Sequence, residues 1–273
     1  MAHRYVWSSE LTRRLEQAAV TAKFAGRLAD LVAENEALMK KGVVQLEHCE
    51  ELPSLSTEEV ILDDQHYSKR FETTQLGVCN VDTLTAALAL GDASALNFAN
   101  ADFPGGGYLH GARAQEEDLC RLLPQLHPSL VAARTKGFYS IRSDACLVTR
   151  DVSAVRRPGS YELCPSLGTC TILTAAMPNG RPEAGSSAWH ETVQVRVQSV
   201  LHAAALTGHR HLVLGAWGCG AFGNPPEAVA QHFREQLSLE RFRGIWESVV
   251  FAIIDPKKDG NLRPFQDVLH SLS

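Results

Sequence analysis

The sequence predicts an α/β protein in which helices cover both faces of one sheet. Three observations carry that expectation: short, nearly continuous apolar runs recur between residues 76 and 254, helix-forming stretches separate several of them, and glycine-rich segments directly follow two of them. Strands that are apolar along their length are those buried on both faces, as in sheets that alternate with helices along the chain.

The elements follow in order. From Ser8 to about Lys40 the chain is rich in Ala, Leu, Glu, Lys and Arg and lacks proline, with Leu11, Leu15, Ala18 and Ala19 at helical spacing. This predicts one long helix or two shorter ones, capped by Ser8 or Ser9 and packed as an amphipathic layer on the main domain. Gly42 closes it, and Val43 to Leu46 reads as a strand. Residues 47 to 75 are polar, with Glu50-Glu51, Glu58-Glu59 and Asp63-Asp64, and read as solvated loop charge. Strands are then expected at Leu76–Cys79, Ala95–Ala99, Ala145–Thr149, Cys170–Ala176, His211–Ala216 and Val249–Ile254. Helices are expected at Thr83–Leu90, Gln115–Ala133, Trp189–Leu206 and Pro226–Leu237. Arg156–Ser160 and Pro178–Ser187 read as long loops, which often lie over ligand sites.

Composition excludes several classes. The chain has 273 residues, 45% hydrophobic and 21% charged, with a net charge of −5. That balance argues against broad nucleic-acid binding, which needs a basic face, and no sequence-specific nucleic-acid partner is expected. No apolar run approaches the roughly 20 residues of a membrane span, and Met1 to Arg14 lacks the apolar core of a secretory signal. An intracellular protein is expected, cytoplasmic or nuclear, and a monomer. The seven cysteines (Cys49, Cys79, Cys120, Cys146, Cys164, Cys170 and Cys219) form no C-x-x-C pair and read mostly as small buried hydrophobes. The eleven histidines lack metal-site spacing, so no metal and no cofactor are expected.

Two connections carry the chemistry. After the strand at Ala95–Ala99 the chain reads Asn100-Ala-Asp-Phe-Pro-Gly-Gly-Gly107, then seven residues, then Gln115-Glu-Glu117 at the start of a helix. Three glycines expose backbone N–H groups to a closely approaching anion or sugar, and ligands in open α/β sheets bind where such strand-to-helix connections lie. Asn100 suits both a sugar contact and a turn. The second connection, Gly215-Ala-Trp-Gly-Cys-Gly-Ala-Phe-Gly-Asn224, follows another strand and precedes a helix marked by Asn224-Pro225-Pro226. It lacks the Gly-Lys-Ser/Thr ending of a Walker loop, and Phe222 is placed to cover a ribose or base. Two such loops form a pincer for a diphosphate. With the adjacent glutamates, they predict an enzyme acting on a phosphate-bearing sugar or nucleotide.

These residues carry a resemblance. Asn97-Phe-Ala-Asn-Ala-Asp-Phe-Pro-Gly-Gly-Gly107, Ala114-Gln-Glu-Glu117 and Gly215-Ala-Trp-Gly-Cys-Gly-Ala-Phe-Gly223 together resemble the bacterial-type poly(ADP-ribose) glycohydrolases, a branch of the macrodomain fold. Asp82-Thr-Leu-Thr-Ala-Ala87, Leu147-Val-Thr-Arg-Asp151 and Ala175-Ala-Met-Pro-Asn179 extend it from about Val78 to the carboxyl terminus. The resemblance implies a three-layer α/β/α macrodomain with a mixed central sheet. Residues 1–42 would form an amino-terminal helical extension, and residues 43–273 the catalytic domain.

It also implies a glycosidase that cuts ribose–ribose O-glycosidic bonds of poly(ADP-ribose) from chain ends, releasing ADP-ribose. Glu117 would be the catalytic carboxyl group, with Glu116 and Asn100 on the ribose beside the scissile bond. Gly105, Gly106 and Gly107 would line the pocket and Gln115 would help hold substrate. Gly218, Cys219, Gly220, Ala221, Phe222 and Gly223 would wrap the diphosphate. The alternatives are a hydrolase of mono(ADP-ribosyl) groups on protein or nucleic acid, and a macrodomain that binds ADP-ribose without cleaving it. Neighbouring helix residues point roughly 100° apart, given about 3.6 residues per turn, so the two glutamates should have different tasks. Glu116 is expected ionised; its charge favours the protonated form of the neighbouring acid, while the helix amino terminus favours the charged form.

Overall fold

The computed structural model describes residues 3–19, 23–40, 55–164, 167–180, 184–255 and 260–272. The expected closure at Gly42, the strand at Val43–Leu46, the Glu50-Glu51 pair, Cys49 and part of the Pro178–Ser187 loop lie outside these residues. One mixed sheet of eight strands runs through the molecule: β1 (Arg4–Trp7), β2 (Thr57–Ile61), β3 (Thr73–Cys79), β4 (Ala93–Phe98), β5 (Ala145–Ser153), β6 (Thr169–Ala175), β7 (His211–Leu214) and β8 (Ser248–Ala252). Their spatial order is β1-β3-β8-β7-β4-β6-β5-β2. Strands β1 to β6 in that spatial order pair in parallel, while β5 runs antiparallel to both of its neighbours.

Eight α-helices are described: α1 (Ser9–Gln17), α2 (Asp30–Met39), α3 (Thr83–Leu90), α4 (Gln115–Leu122), α5 (Leu126–Thr135), α6 (Ser187–Thr207), α7 (Pro226–Leu237) and α8 (Leu262–His270). Side chains alternate across the pleat and divide the core in two. Leu212, Leu214, Val249 and Phe251 face α6, α7 and α8, which bring Val197, Leu201, Phe233 and Phe265. Val213 and Val250 face the opposite layer, built from Leu11 and Leu15 of α1, Leu31 of α2, and α3 to α5. This is a three-layer α/β/α arrangement with a mixed central sheet. Among the described residues no helix is long and apolar enough to cross a membrane.

Local chemistry sets the boundaries. Helix α3 starts at Asp82, whose Oδ1 accepts from Thr85 N at 2.8 Å. Ser8 Oγ caps α1 by accepting from Leu11 N. The single helix expected at Gln115–Ala133 is two, α4 and α5, because Pro124 has no N–H to continue the first. The amino-terminal segment is not wholly helical: Arg4–Trp7 is an edge strand paired with β3. The acidic stretch read as loop contains β2, which pairs with β5 through Thr57 opposite Thr149. Only Thr57 of that strand is buried, and its hydroxyl lies 2.8 Å from that of Thr149. Charged residues on an outer strand mask the alternation by which strands are read, while protecting the exposed edge. Helix α8 was also not anticipated. Of the six described cysteines, four are buried.

Phe251 on a central strand packs edge-on against Phe233, with ring centroids 5.2 Å apart, and tilts against Phe265 at 5.6 Å. Phe251→Ala should destabilise the protein by about 3–5 kcal/mol through lost burial and the cavity left behind, measured by urea unfolding.

Candidate active site

A cleft of about 880 Å³ opens where β4 and β7 end, between α4 and the loop that precedes α7. The chain leaves β4 through Asn100, whose Oδ1 accepts from the backbone N–H of Asp102 at 2.9 Å and of Phe103 at 3.0 Å. That side-chain turn delivers the three glycines. Gly105 and Gly106 have φ of +72° and +54°, a region costly to a residue with a Cβ. A Cβ on Gly106 would also lie 2.6 Å from Glu117 Oε1 and 3.0 Å from Glu116 Oε2. One on Gly107 would meet the Ala112 Cβ at 2.6 Å.

The glycine amides do not form the anion cradle expected for them. Gly105 N–H donates to Glu116 Oε1 at 3.0 Å, Gly107 N–H to Glu117 Oε1 at 2.8 Å, and Gly106 N–H to the Phe103 carbonyl at 2.9 Å. Asn100 N–H donates to Glu116 Oε2 at 2.8 Å. The protein's own carboxylates occupy the nest, and the side-chain-free backbone is what lets them approach.

Both glutamates are buried, Glu116 at 3% and Glu117 at 7% exposure, in the first turn of α4, where the helix dipole favours negative charge. Three of their four oxygens accept a backbone N–H. The fourth, Glu117 Oε2, is buried without a partner among the described residues. Glu117 itself lines the cleft. Burial pushes the Glu116 carboxyl up to about 8, and the neighbouring Glu117 adds to the rise, while the amides of Asn100 and Gly105 pull it down. The expectation of an ordinary ionised Glu116 is corrected accordingly, because desolvation is the largest influence on it.

Gln115 also departs from its expected task. Its Nε2 donates to Thr83 Oγ1 and to the Leu96 carbonyl, and its Oε1 accepts from Phe98 N–H. Both amide hydrogens are therefore used to moor the start of α4 to β4 and α3, although the residue lines the cleft.

The second loop is built differently. Trp217, Cys219, Gly223 and Asn224 donate their amides to carbonyls within it. The amides of Gly218, Gly220, Ala221 and Phe222 have no acceptor among the described residues, and these four residues line the cleft. A Cβ on Gly220 would meet nothing within 4 Å. Asn224 holds the loop's shape: its Nδ2 donates to the carbonyls of Pro178 and Gly218, and its Oδ1 accepts from Trp189 Nε1 at 2.8 Å. Of the expected residues, Gly105, Cys219 and Gly223 do not line the cleft. Burial pushes the Cys219 thiol up to about 12, and its Sγ lies 3.7 Å from the Trp217 carbonyl.

The sequence reading missed part of the wall. Lys23 and Phe24 line the cleft, with Phe24 N–H donating to the Gly159 carbonyl and its ring edge-on to Tyr161. Tyr161 donates to Asp118, which also receives Arg121 Nη1 at 3.2 Å. The Asp118-to-Arg121 spacing, three residues along a helix, was legible; Phe24, in a stretch read as helix, gave no signal. Among the described residues no group of three or more His, Cys, Asp or Glu is arranged to hold a metal.

The Glu116 environment has a signed consequence. Its folded pKa lies above the unfolded value near 4.5, so between about pH 5 and pH 8 the folded state holds a proton that the unfolded state has released. Wild type should therefore lose stability relative to Glu116→Gln as pH rises through that window, by at most about 1.4 kcal/mol per unit. Urea titrations of both proteins measure it; a pH-independent difference would mean that the amide donors cancel desolvation.

Comparison with known proteins agrees with this architecture. Residues 24–152 match the family described as microbial-type PARG, catalytic domain, a match that begins inside the segment read as an amino-terminal extension. None of the curated proteins matches the chain. The poly(ADP-ribose) glycohydrolase of Thermomonospora curvata, solved with the inhibitor ADP-HPD, is 30% identical, with a TM-score of 0.71 over 88% of this chain and 98% of its own. The poly(ADP-ribose) glycohydrolase of Deinococcus radiodurans, solved with ADP-ribose, is 31% identical, with a TM-score of 0.65 over 98% of this chain and 100% of its own. The carboxylate-filled glycine turn, the open second loop and these similarities together place the chain in the bacterial-type poly(ADP-ribose) glycohydrolase family.

Proposed function

We propose that this protein hydrolyses the ribose–ribose O-glycosidic bonds of poly(ADP-ribose), working from chain ends and releasing ADP-ribose. The observation that carries the reading is the buried, unpartnered Oε2 of Glu117 in the wall of a cleft whose opposite loop presents unused amides. In this reading the diphosphate lies on the amides of Gly218, Gly220, Ala221 and Phe222, with the Phe222 ring against the ribose. Asn100 and Glu116 hold the ribose whose anomeric carbon reacts.

The chemistry follows from the bond. Cleavage passes through an oxocarbenium-like transition state, and the departing oxygen needs a proton. Glu117 supplies that proton from Oε2 as the C–O bond breaks. It then takes one from the water that attacks the anomeric carbon, so one carboxyl group serves both steps and ends as it began. Glu117 Oε1 stays anchored on Gly107 N–H throughout, which fixes the direction of Oε2. We further propose that turnover needs no metal ion, since proton transfer at one carboxyl supplies both steps. The segment preceding residue 43 is assigned to the catalytic unit, because Lys23 and Phe24 form part of the cleft wall.

Glu117→Gln keeps the anchoring oxygen and removes the transferable proton. It should retain ADP-ribose binding by calorimetry and lose roughly 10²–10⁴-fold in release of ADP-ribose from polymer. A fully active variant would overturn the assignment. Turnover should persist in excess chelator; a loss that added Mg²⁺ restores would refute metal independence.

A further inference from the structure

The carboxyl end of α4 poses a problem that the sequence states plainly. The Cys120 carbonyl would ordinarily accept from the amide four residues on, but that residue is Pro124, which has no N–H. The end of the helix therefore leaves acceptors inside the protein. The donor comes from another element. Asn35 of α2, 2% exposed, places its Nδ2 at 3.3 Å from the Cys120 carbonyl and 3.0 Å from the Arg121 carbonyl. The same nitrogen lies 3.2 Å from the hydroxyl of Tyr108, the residue directly after Gly107.

The orientation of that amide is itself fixed. Asn35 Oδ1 accepts from Arg156 Nε at 2.9 Å. Arg156, 2% exposed, donates Nη1 to the Tyr161 carbonyl at 2.9 Å and Nη2 to Glu34 at 2.8 Å. Glu34 and Asn35 are neighbours on α2, so a buried arginine and its counter-charge lock one side-chain amide in place. That amide touches both structures that define Glu117: the helix carrying it, and the turn whose Gly107 N–H anchors its Oε1. On their other sides these structures rest on Gln115 and on His127, whose ring centroid lies 5.0 Å from that of Tyr108.

We infer that Asn35 is a positioning residue for Glu117, and that α2 sets the register between the acid–base group and substrate held on the opposite loop. Nothing in α2 need touch substrate. A helix end freed of its donor can shift along its axis, and a misplacement of about 1 Å at the reacting atoms costs on the order of 10²-fold in rate. The inference rests on Glu117 being the catalytic acid–base, and the test separates the two.

Release of ADP-ribose from polymer is measured for wild type, Asn35→Ala, Glu117→Gln and the double variant, with ADP-ribose affinity by calorimetry and folding by thermal unfolding. Asn35→Ala should lower kcat by about tenfold or more, with ADP-ribose Kd within about twofold of wild type. In the Glu117→Gln background the same substitution should add little, since it acts through that carboxyl. An unchanged kcat in the folded variant, a parallel loss of affinity, or fully additive losses would overturn the positioning role. A fully active Glu117→Gln would instead overturn the catalytic assignment on which it rests. Should Asn35→Ala fail to fold, Glu34→Gln decides: its half-exposed side chain (54%) can be neutralised without opening the core, and kcat should fall in the same direction with Kd unchanged. A Glu34→Gln enzyme with wild-type kcat would then contradict the proposal.

Discussion

Backbone amides of a glycine turn donating to the two carboxylates of α4 are the contacts on which the rest of the site depends. Two acidic side chains side by side under a protein surface resist ionisation, and burial raises the Glu116 carboxyl accordingly. Here Gly105, Gly107 and Asn100 give three N–H groups to three of the four oxygens, and the dipole of α4 adds its positive end. The turn can approach that closely only because Gly106 has no Cβ, which would lie 2.6 Å from Glu117 Oε1. The same geometry leaves one oxygen unclaimed, and it belongs to a residue lining the cleft.

The two glycine-rich connections thus do opposite work with the same chemistry. The first directs its amides inward, to the carboxyl groups of Glu116 and Glu117. The second closes on itself through Asn224 and leaves four amides unclaimed among the described residues. In the function proposed for it, such a site separates holding substrate from attacking it, so each can be disturbed without the other. The sheet makes the pairing possible: β4 and β7 are parallel neighbours, and their carboxyl ends put the two connections side by side.

Much of this was legible in the chain. The helix expected at Thr83–Leu90 is α3, and Asn224-Pro225-Pro226 as a start signal gave the beginning of α7, where proline chemistry rather than packing decides the end. The apolar strands read correctly for the same local reason. Edge strands did not: β1 and β2 are half-exposed and charged, and their pairing depends on partners about 70 and 90 residues away in sequence. In the site, the glutamates and both loops stood out, but the destination of the Gly105–Gly107 amides did not. A glycine run says that something approaches closely, without saying whether it is a ligand or the protein's own carboxylate. Asn35 left no trace and Arg156 marked only the start of a loop, since a single buried amide that ties three segments together has no pattern in one dimension.

The most direct measurement is a crystal structure of the protein with ADP-ribose bound. It should place the diphosphate on the amides of Gly218, Gly220, Ala221 and Phe222, keep Gly105 and Gly107 on the two glutamates, and bring Glu117 Oε2 to the anomeric oxygen. A diphosphate seated on Gly105–Gly107, with the carboxylates displaced from that turn, would contradict the account.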